Sequence, residues 1–155
     1  MTAVREPTHD AIAAGQERRH PHHLDRILAC TDFSEDSDLA LNYAISAAAE
    51  YDAELTLLHV LEEVPRPSKR EEAIAVATTQ LESLIPPERR KTLKIKTAVR
   101  IGKPYREIIQ LAQEAQTDLV SMGVRGRGAL DLAVFGSTTY RVTQLGPCPV
   151  LTTHV

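Results

Sequence analysis

The stretch 26–60, RILACTDFSEDSDLALNYAISAAAEYDAELTLLHV, decides the fold class. It opens on RILACTD, a short and almost wholly apolar run of the kind a strand buried on both faces requires. SEDSDLALNYAISAAAEYD follows, with Ala40, Ala44, Ala47 and Tyr51 at helical spacing on one face. Ser34 is placed to cap that helix, and Glu35 and Asp36 lie near the positive end of its dipole. AELTLLHV is a second continuous apolar run. A strand, a helix and a second strand, with both strands apolar on both faces, is the unit of a parallel sheet covered by helices.

The same alternation continues outward. The loop LEEVPRPS holds two prolines and is irregular. KREEAIAVATTQLESLI reads as a helix with Ile74, Ala77, Leu81 and Leu84 in one stripe, stopped by Pro86 and Pro87. TLKIKTAVRIG alternates, with Leu93, Ile95, Thr97 and Val99 on one face and Lys94, Lys96 and Ala98 on the other; its lysines suit a sheet edge. Gly102 turns the chain, and Pro104 starts a helix at its first position, with Ile108, Leu111, Ala112 and Ala115 as the buried stripe. DLVSMG is a short central strand, Thr138–Leu145 a short helix closed by Gly146 and Pro147, and CPVLTTH the last strand. Strands alternating with helices predict a single three-layer α/β domain: a five-stranded parallel sheet of order 3-2-1-4-5 with right-handed crossovers and helices on both faces. That layout is flavodoxin-like or adenine nucleotide alpha hydrolase-like.

Residues 1–23 differ. They carry His9, His20, His22 and His23, and Arg5, Arg18 and Arg19 cancel Glu6, Asp10 and Glu17, with few large apolar side chains. This composition predicts a disordered tail, leaving 24–155 as the domain. No cysteine or acidic ligand completes a metal site beside His20–His23, so a solvated tail is expected there.

The chain has 155 residues, 43% apolar and 25% charged, enough for one globular domain with a sizeable core. A net charge of −3 and an aromatic content of 4% without tryptophan argue against a nucleic-acid partner. No apolar run is long enough to cross a bilayer, so no membrane partner is expected, and MTAVREPTHD has no apolar h-region, so no secretion signal is expected. Cys30 and Cys148 do not form a metal spacing and are expected as free thiols in the cytoplasm.

In a sheet of order 3-2-1-4-5 the first and fourth strands are neighbours whose crossovers leave in opposite directions, and ligands bind at that switch point. CTDFS ends the first strand and MGVRG the fourth, so Asp32 and Gly123 face one another across the predicted site. Four of the seven glycines fall within SMGVRGRGALDLAVFGSTTYR, 121–141. Gly123 and Gly126 let a ligand approach the backbone. Gly136 opens a helix beginning Ser137, Thr138, Thr139, whose unpaired N–H groups, dipole and hydroxyls suit phosphate. Arg125 and Arg127 are either phosphate ligands or solvated loop charges, Ser137 a ligand donor or a phosphorylation site, and Gly128 a source of loop flexibility. Neither a Walker A loop nor a G-x-G-x-x-G after the first strand is present. His59, inside an apolar strand, has no candidate partner and is expected to be structural, as is Cys148 before Pro149.

Gly123-x-x-Gly126, nine residues, then Gly136-Ser137 resembles the nucleotide-binding signature of the universal stress protein family. ILACTDFSEDS, LTLLHV, GKPYREIIQLA and CPVLT are similar to further segments of that family in the same order, so the resemblance covers 26–155. It implies an ATP-binding, usually dimeric stress-response protein. It further implies that Asp32 and the backbone around Cys30 and Thr31 hold the adenosine, that Leu55 lines the adenine pocket, and that Met122 and Gly123 lie under the ribose. Val124, Arg125, Gly126, Arg127 and Gly128, with Ser137, Thr138 and Thr139, would take the phosphates, with Mg²⁺ on them. Cys30 stands where a proline is common in the family, and its backbone alone is expected to matter. Three functions follow: a nucleotide-dependent regulatory module with an unidentified protein partner, a slow ATPase or phosphotransferase, or an interaction protein with a vestigial pocket. The last strand, at a sheet edge, is expected to pair with a second copy in a homodimer.

Overall fold

In this computed structural model, residues 23–63, 66–125 and 135–155 are described. Residues 1–22 of the expected tail 1–23, and Gly126, Arg127 and Gly128, lie outside the described residues. The elements follow in the order β1(Arg26–Cys30), α1(Glu35–Tyr51), β2(Glu54–Leu61), α2(Arg70–Ser83), α3(Pro87–Thr92), β3(Lys94–Ile101), α4(Pro104–Glu114), β4(Leu119–Gly123), α5(Ser137–Leu145) and β5(Val150–Thr153). A single 3₁₀ turn, Pro67–Lys69, leads into α2.

The five strands form one parallel sheet of order β3-β2-β1-β4-β5, as the alternation predicts. Ile27 stands opposite Leu55 on one side and Leu119 on the other, and Val120 opposite Val150. Because strand side chains alternate, two cores form. Ile27, Ala29, Leu55, Leu57 and Leu81 pack with α1 and α2 on one face. Leu28, Cys30, Leu58, Val120, Met122 and Val142 pack with α4 and α5 on the other. Each fully buried leucine or isoleucine contributes about 1.5–3 kcal/mol.

Ser34 caps α1, its Oγ accepting from Ser37 N–H. The buried stripe of that helix is Ala40, Leu41, Ala44, Ile45 and Ala48, and Tyr51 is 42% exposed. Ala47 is partly buried against the same core, so the expected stripe fails at Tyr51 and lacks the larger Leu41 and Ile45. Pro86 and Pro87 end α2, but Pro87 also occupies the first position of α3, where its missing N–H costs nothing. At the β3 edge Lys94 pairs with Asp52 at 2.9 Å and Lys96 with Glu54 at 2.8 Å.

Candidate functional site

The crossovers of β1 and β4 diverge, α1 packing on one face and α5 on the other. Beyond the carboxyl ends of these strands opens a cavity of about 540 Å³, within the range of small-molecule sites. Cys30, Thr31 and Asp32 of β1 and its turn line it, with Met122, Gly123 and Arg125 after β4. The end of β2, Leu58–Glu62, supplies a wall, Pro104 and Ile108 of α4 another, and Gly136–Thr139 bring in the start of α5.

Leu55 is absent from this lining. It sits at the opposite end of β2, fully buried against α1 and α2. Parallel strands present a ligand crevice only at their carboxyl ends, which is the physical reason Leu55 lies outside it.

The β1–α1 turn contains no glycine, so Phe33 adopts φ 63°, the left-handed region that bulky residues rarely enter. Side chains hold it there. Thr31 Oγ1 accepts from Phe33 N–H at 2.9 Å, and Asp32 Oδ1 accepts from Ser34 N–H at 3.1 Å and from its hydroxyl. His59, expected to be structural but without a candidate partner, has one: its Nδ1 lies 2.8 Å from the Thr31 carbonyl oxygen, which only accepts, so Nδ1 carries the proton. Its ring stands 4.6 Å from that of Phe33. Burial, with Cys148 adding, pushes the Cys30 thiol far above the usual thiol range, which leaves it neutral and unreactive.

On the β4 side, a Cβ at Gly123 would come within 2.8 Å of Asp36 Cβ and 3.0 Å of the backbone of Asp36 and Ser37. The close neighbour that requires glycine is therefore the first turn of α1, which refines the expectation that the position serves ligand approach. Val124 does not line the cavity. Its N–H donates to Thr153 O at 2.8 Å and its carbonyl accepts from Gly136 N–H at 2.9 Å, so it closes the base of the loop. Thr139 Oγ1 donates to Gly123 O at 2.8 Å and is buried. Ser137 and Thr138 carry no side-chain hydrogen bond among the described residues. The N–H groups of Ser137, Thr138 and Thr139 precede the first intrahelical bond, Tyr140 N–H to Gly136 O, and point toward the cavity end of α5.

Sequence reasoning missed a cluster behind this wall. Asp36 Oδ1 accepts from Val155 N–H at 2.9 Å and lies 3.3 Å from His154 Nδ1. Its Oδ2 lies 3.9 Å from Arg125 Nε, and its carbonyl accepts from Thr153 Oγ1 at 2.7 Å. Burial alone would raise the Asp36 carboxyl. The Val155 N–H, then His154, then the Arg125 backbone N–H outweigh it and hold the group below the usual carboxylate range. Only the topology, which brings the end of β5 beside the start of α1, contained a signal for this cluster.

Residues 23–154 match the model of the Universal stress protein family. The chain is 31% identical over 144 residues to Universal stress protein YxiE of Bacillus subtilis, covering 83% of this chain and 97% of that one. Among solved structures it is similar to MJ0577 of Methanocaldococcus jannaschii, at 28% identity and a TM-score of 0.72, covering 84% of this chain and 95% of that one. A universal stress protein solved in complex with cAMP shares the fold at 21% identity and a TM-score of 0.61, covering 85% and 98%.

Proposed function

The chain belongs to the universal stress protein family, and from that premise we propose that it binds an adenine nucleotide, ATP with Mg²⁺, in the cavity beyond β1 and β4. The observation that carries the reading is the start of α5. Three N–H groups without intrahelical partners and the hydroxyls of Ser137 and Thr138 border one side of a cavity of about 540 Å³, with Asp32 on another. A helix start with hydroxyls suits phosphate, and a carboxylate suits ribose hydroxyls. The base then lies toward the end of β2 and α4, where Leu58, Val60 and Ile108 are apolar. The cAMP complex of a relative concerns that protein and shares only the fold at its identity.

No group of three or more His, Cys, Asp or Glu side chains that could hold a metal occurs among the described residues. Mg²⁺ would therefore ride on the phosphates with water, as it does where a protein offers one or two carboxylates. The role is that of a nucleotide-dependent stress-response or regulatory module, a homodimer through β5 that serves a protein partner.

Calorimetric titration with ATP, AMP, cyclic AMP and adenosine, on wild type and Ser137→Asp, tests this. A carboxylate at the first residue of α5 favours the helix but repels phosphate. ATP affinity is expected to fall at least about tenfold, the size of a desolvated like-charge contact, with adenosine binding and thermal stability retained. Undiminished ATP binding in Ser137→Asp would place the phosphates elsewhere, and no binding of any of the four by wild type would end the nucleotide reading.

A further inference from the structure

We propose that His59 is a positioning residue for the nucleotide: from β2 it clamps the two neighbours of Asp32 and so holds that carboxylate where it meets the ribose. This rests on the nucleotide reading of the cavity and adds the side chain that sets its ribose end. The turn from β1 into α1 runs Thr31-Asp32-Phe33-Ser34 and contains no glycine. Phe33 nevertheless stands at φ 63°, in the left-handed region. A bulky residue stays there only where its surroundings hold it, and backbone strain held in this way gathers at ligand sites. Glycine would enter the same conformation at no such cost.

Two kinds of contact hold the turn. Phe33 N–H donates to Thr31 Oγ1 at 2.9 Å, and Ser34 N–H to Asp32 Oδ1 at 3.1 Å. Both lie inside the turn, so they shape it without fixing its place over the sheet. β2 supplies the anchor. Thr31 N–H donates to Leu58 O at 2.9 Å, which continues the strand pairing past the end of β1. The next residue of β2, His59, takes the Thr31 carbonyl, its Nδ1–H donating to that oxygen at 2.8 Å. The same ring stands 4.6 Å from the Phe33 ring at 44°, within the range of aromatic pairing. One imidazole thus grips Thr31 by its backbone and Phe33 by its side chain, and Asp32 is the residue between them. Asp32 and His59 both border the cavity. Without the ring, the Thr31 carbonyl loses this donor and Phe33 loses its stacking partner. Phe33 then relaxes out of the left-handed region, and the Asp32 carboxylate turns with it, away from the ribose.

The test is the ratio of affinities for adenosine and for its dideoxy analogue, which lacks both ribose hydroxyls, measured by calorimetry. Wild type is compared with Asp32→Ala, His59→Leu, His59→Asn and the double variant His59→Leu/Phe33→Gly. Asp32→Ala sets the floor; a ratio unchanged in it would overturn the proposal, because Asp32 would then not read the ribose. His59→Leu is expected to lower the ratio about tenfold, the size of one lost hydrogen bond to a charged group. His59→Asn, whose amide still offers a donor to Thr31 O, is expected to keep most of it. Phe33→Gly added to His59→Leu is expected to win back at least about threefold, because glycine holds a left-handed turn without a clamp. A ratio that His59→Leu leaves intact, or a loss that Phe33→Gly does not mend, overturns the positioning role: His59 would then serve the core or touch the ligand itself. A second arm uses no nucleotide. In the ligand-free protein the Phe33 N–H, bonded to Thr31 Oγ1, should exchange with deuterium at least about tenfold faster in His59→Leu than in wild type. Absence of adenosine binding by wild type ends the nucleotide reading and the ribose role with it, and the exchange rate then decides the clamp by itself. Exchange indifferent to His59 overturns that clamp.

Discussion

Gly123 shows how a single position takes on a second meaning once the elements are packed. In the sequence it is one of four glycines in a crowded loop and reads as room for a ligand. In the fold its missing Cβ is the space occupied by the first turn of α1. Gly123→Ala should therefore destabilise the protein by about 1–3 kcal/mol, the cost of overpacking, and lower the midpoint of thermal unfolding; an unchanged midpoint would show that α1 moves aside freely. Asp36, on the other side of that contact, makes a separate prediction in pH. Its carboxyl is held lower in the folded chain than in the unfolded one, with burial opposing and the Val155 N–H, His154 and the Arg125 N–H prevailing. A depressed carboxyl stabilises the fold fully above the unfolded value, about 4, and loses that contribution as pH falls through the folded value. Asp36→Asn should thus lower the urea midpoint at pH 7, and the gap to wild type should narrow steadily below about pH 4. A gap that widens in acid would contradict the sign. Asp32 was legible as a cavity residue because topology alone placed it. Asp36 was not, since its partners His154 and Val155 lie over a hundred positions away and no local pattern joins them.

At the scale of elements, strands and helix starts were readable and helix faces less so. The apolar runs of β1, β2 and β4 leave no alternative to strands buried on both sides, and Ser34, Pro104 and Gly146 mark helix ends by known local chemistry. The face of α1 was misjudged because alanine fits a core or a surface equally well, so Ala40, Ala44 and Ala47 support more than one stripe. The short helix α3 escaped notice because a proline that stops one helix can also begin the next. The two faces can be set against each other experimentally. Leu81, fully buried in α2, should cost about 2–5 kcal/mol as Leu81→Ala. Tyr51→Ala, at a position half open to solvent, should stay within about 0.5 kcal/mol. Chemical denaturation of the two variants checks both, and a larger loss at Tyr51 would restore the stripe that the spacing alone suggested.

At the scale of the whole molecule, the two edges of the sheet are unlike. An edge strand presents unpaired N–H and C=O groups, and proteins that stay single guard such edges with charge. Along β3 the guard is present: Lys94 and Lys96 project from the strand and pair with Asp52 and Glu54. Along β5, Val150-Leu151-Thr152-Thr153, there is none. The ground beside it is apolar as well, with Leu145 at the end of α5 57% exposed and Val155 67% exposed. An undefended edge flanked by exposed apolar side chains fits self-association through β5, because two-fold pairing of identical edges satisfies both rows of backbone groups at once and closes the assembly. The protein should therefore run as a dimer in light scattering at micromolar concentration. Leu151→Lys, which places on β5 the charge that β3 already carries, should convert it to a monomer while leaving ATP titration intact, since Leu151 does not line the cavity. A wild-type monomer would mean that the missing guard on β5 has another reason. A dimer that survives Leu151→Lys would move the interface to the exposed faces of α1 or α5, where Tyr43, Tyr51, Tyr140 and Leu145 are the exposed large apolar groups.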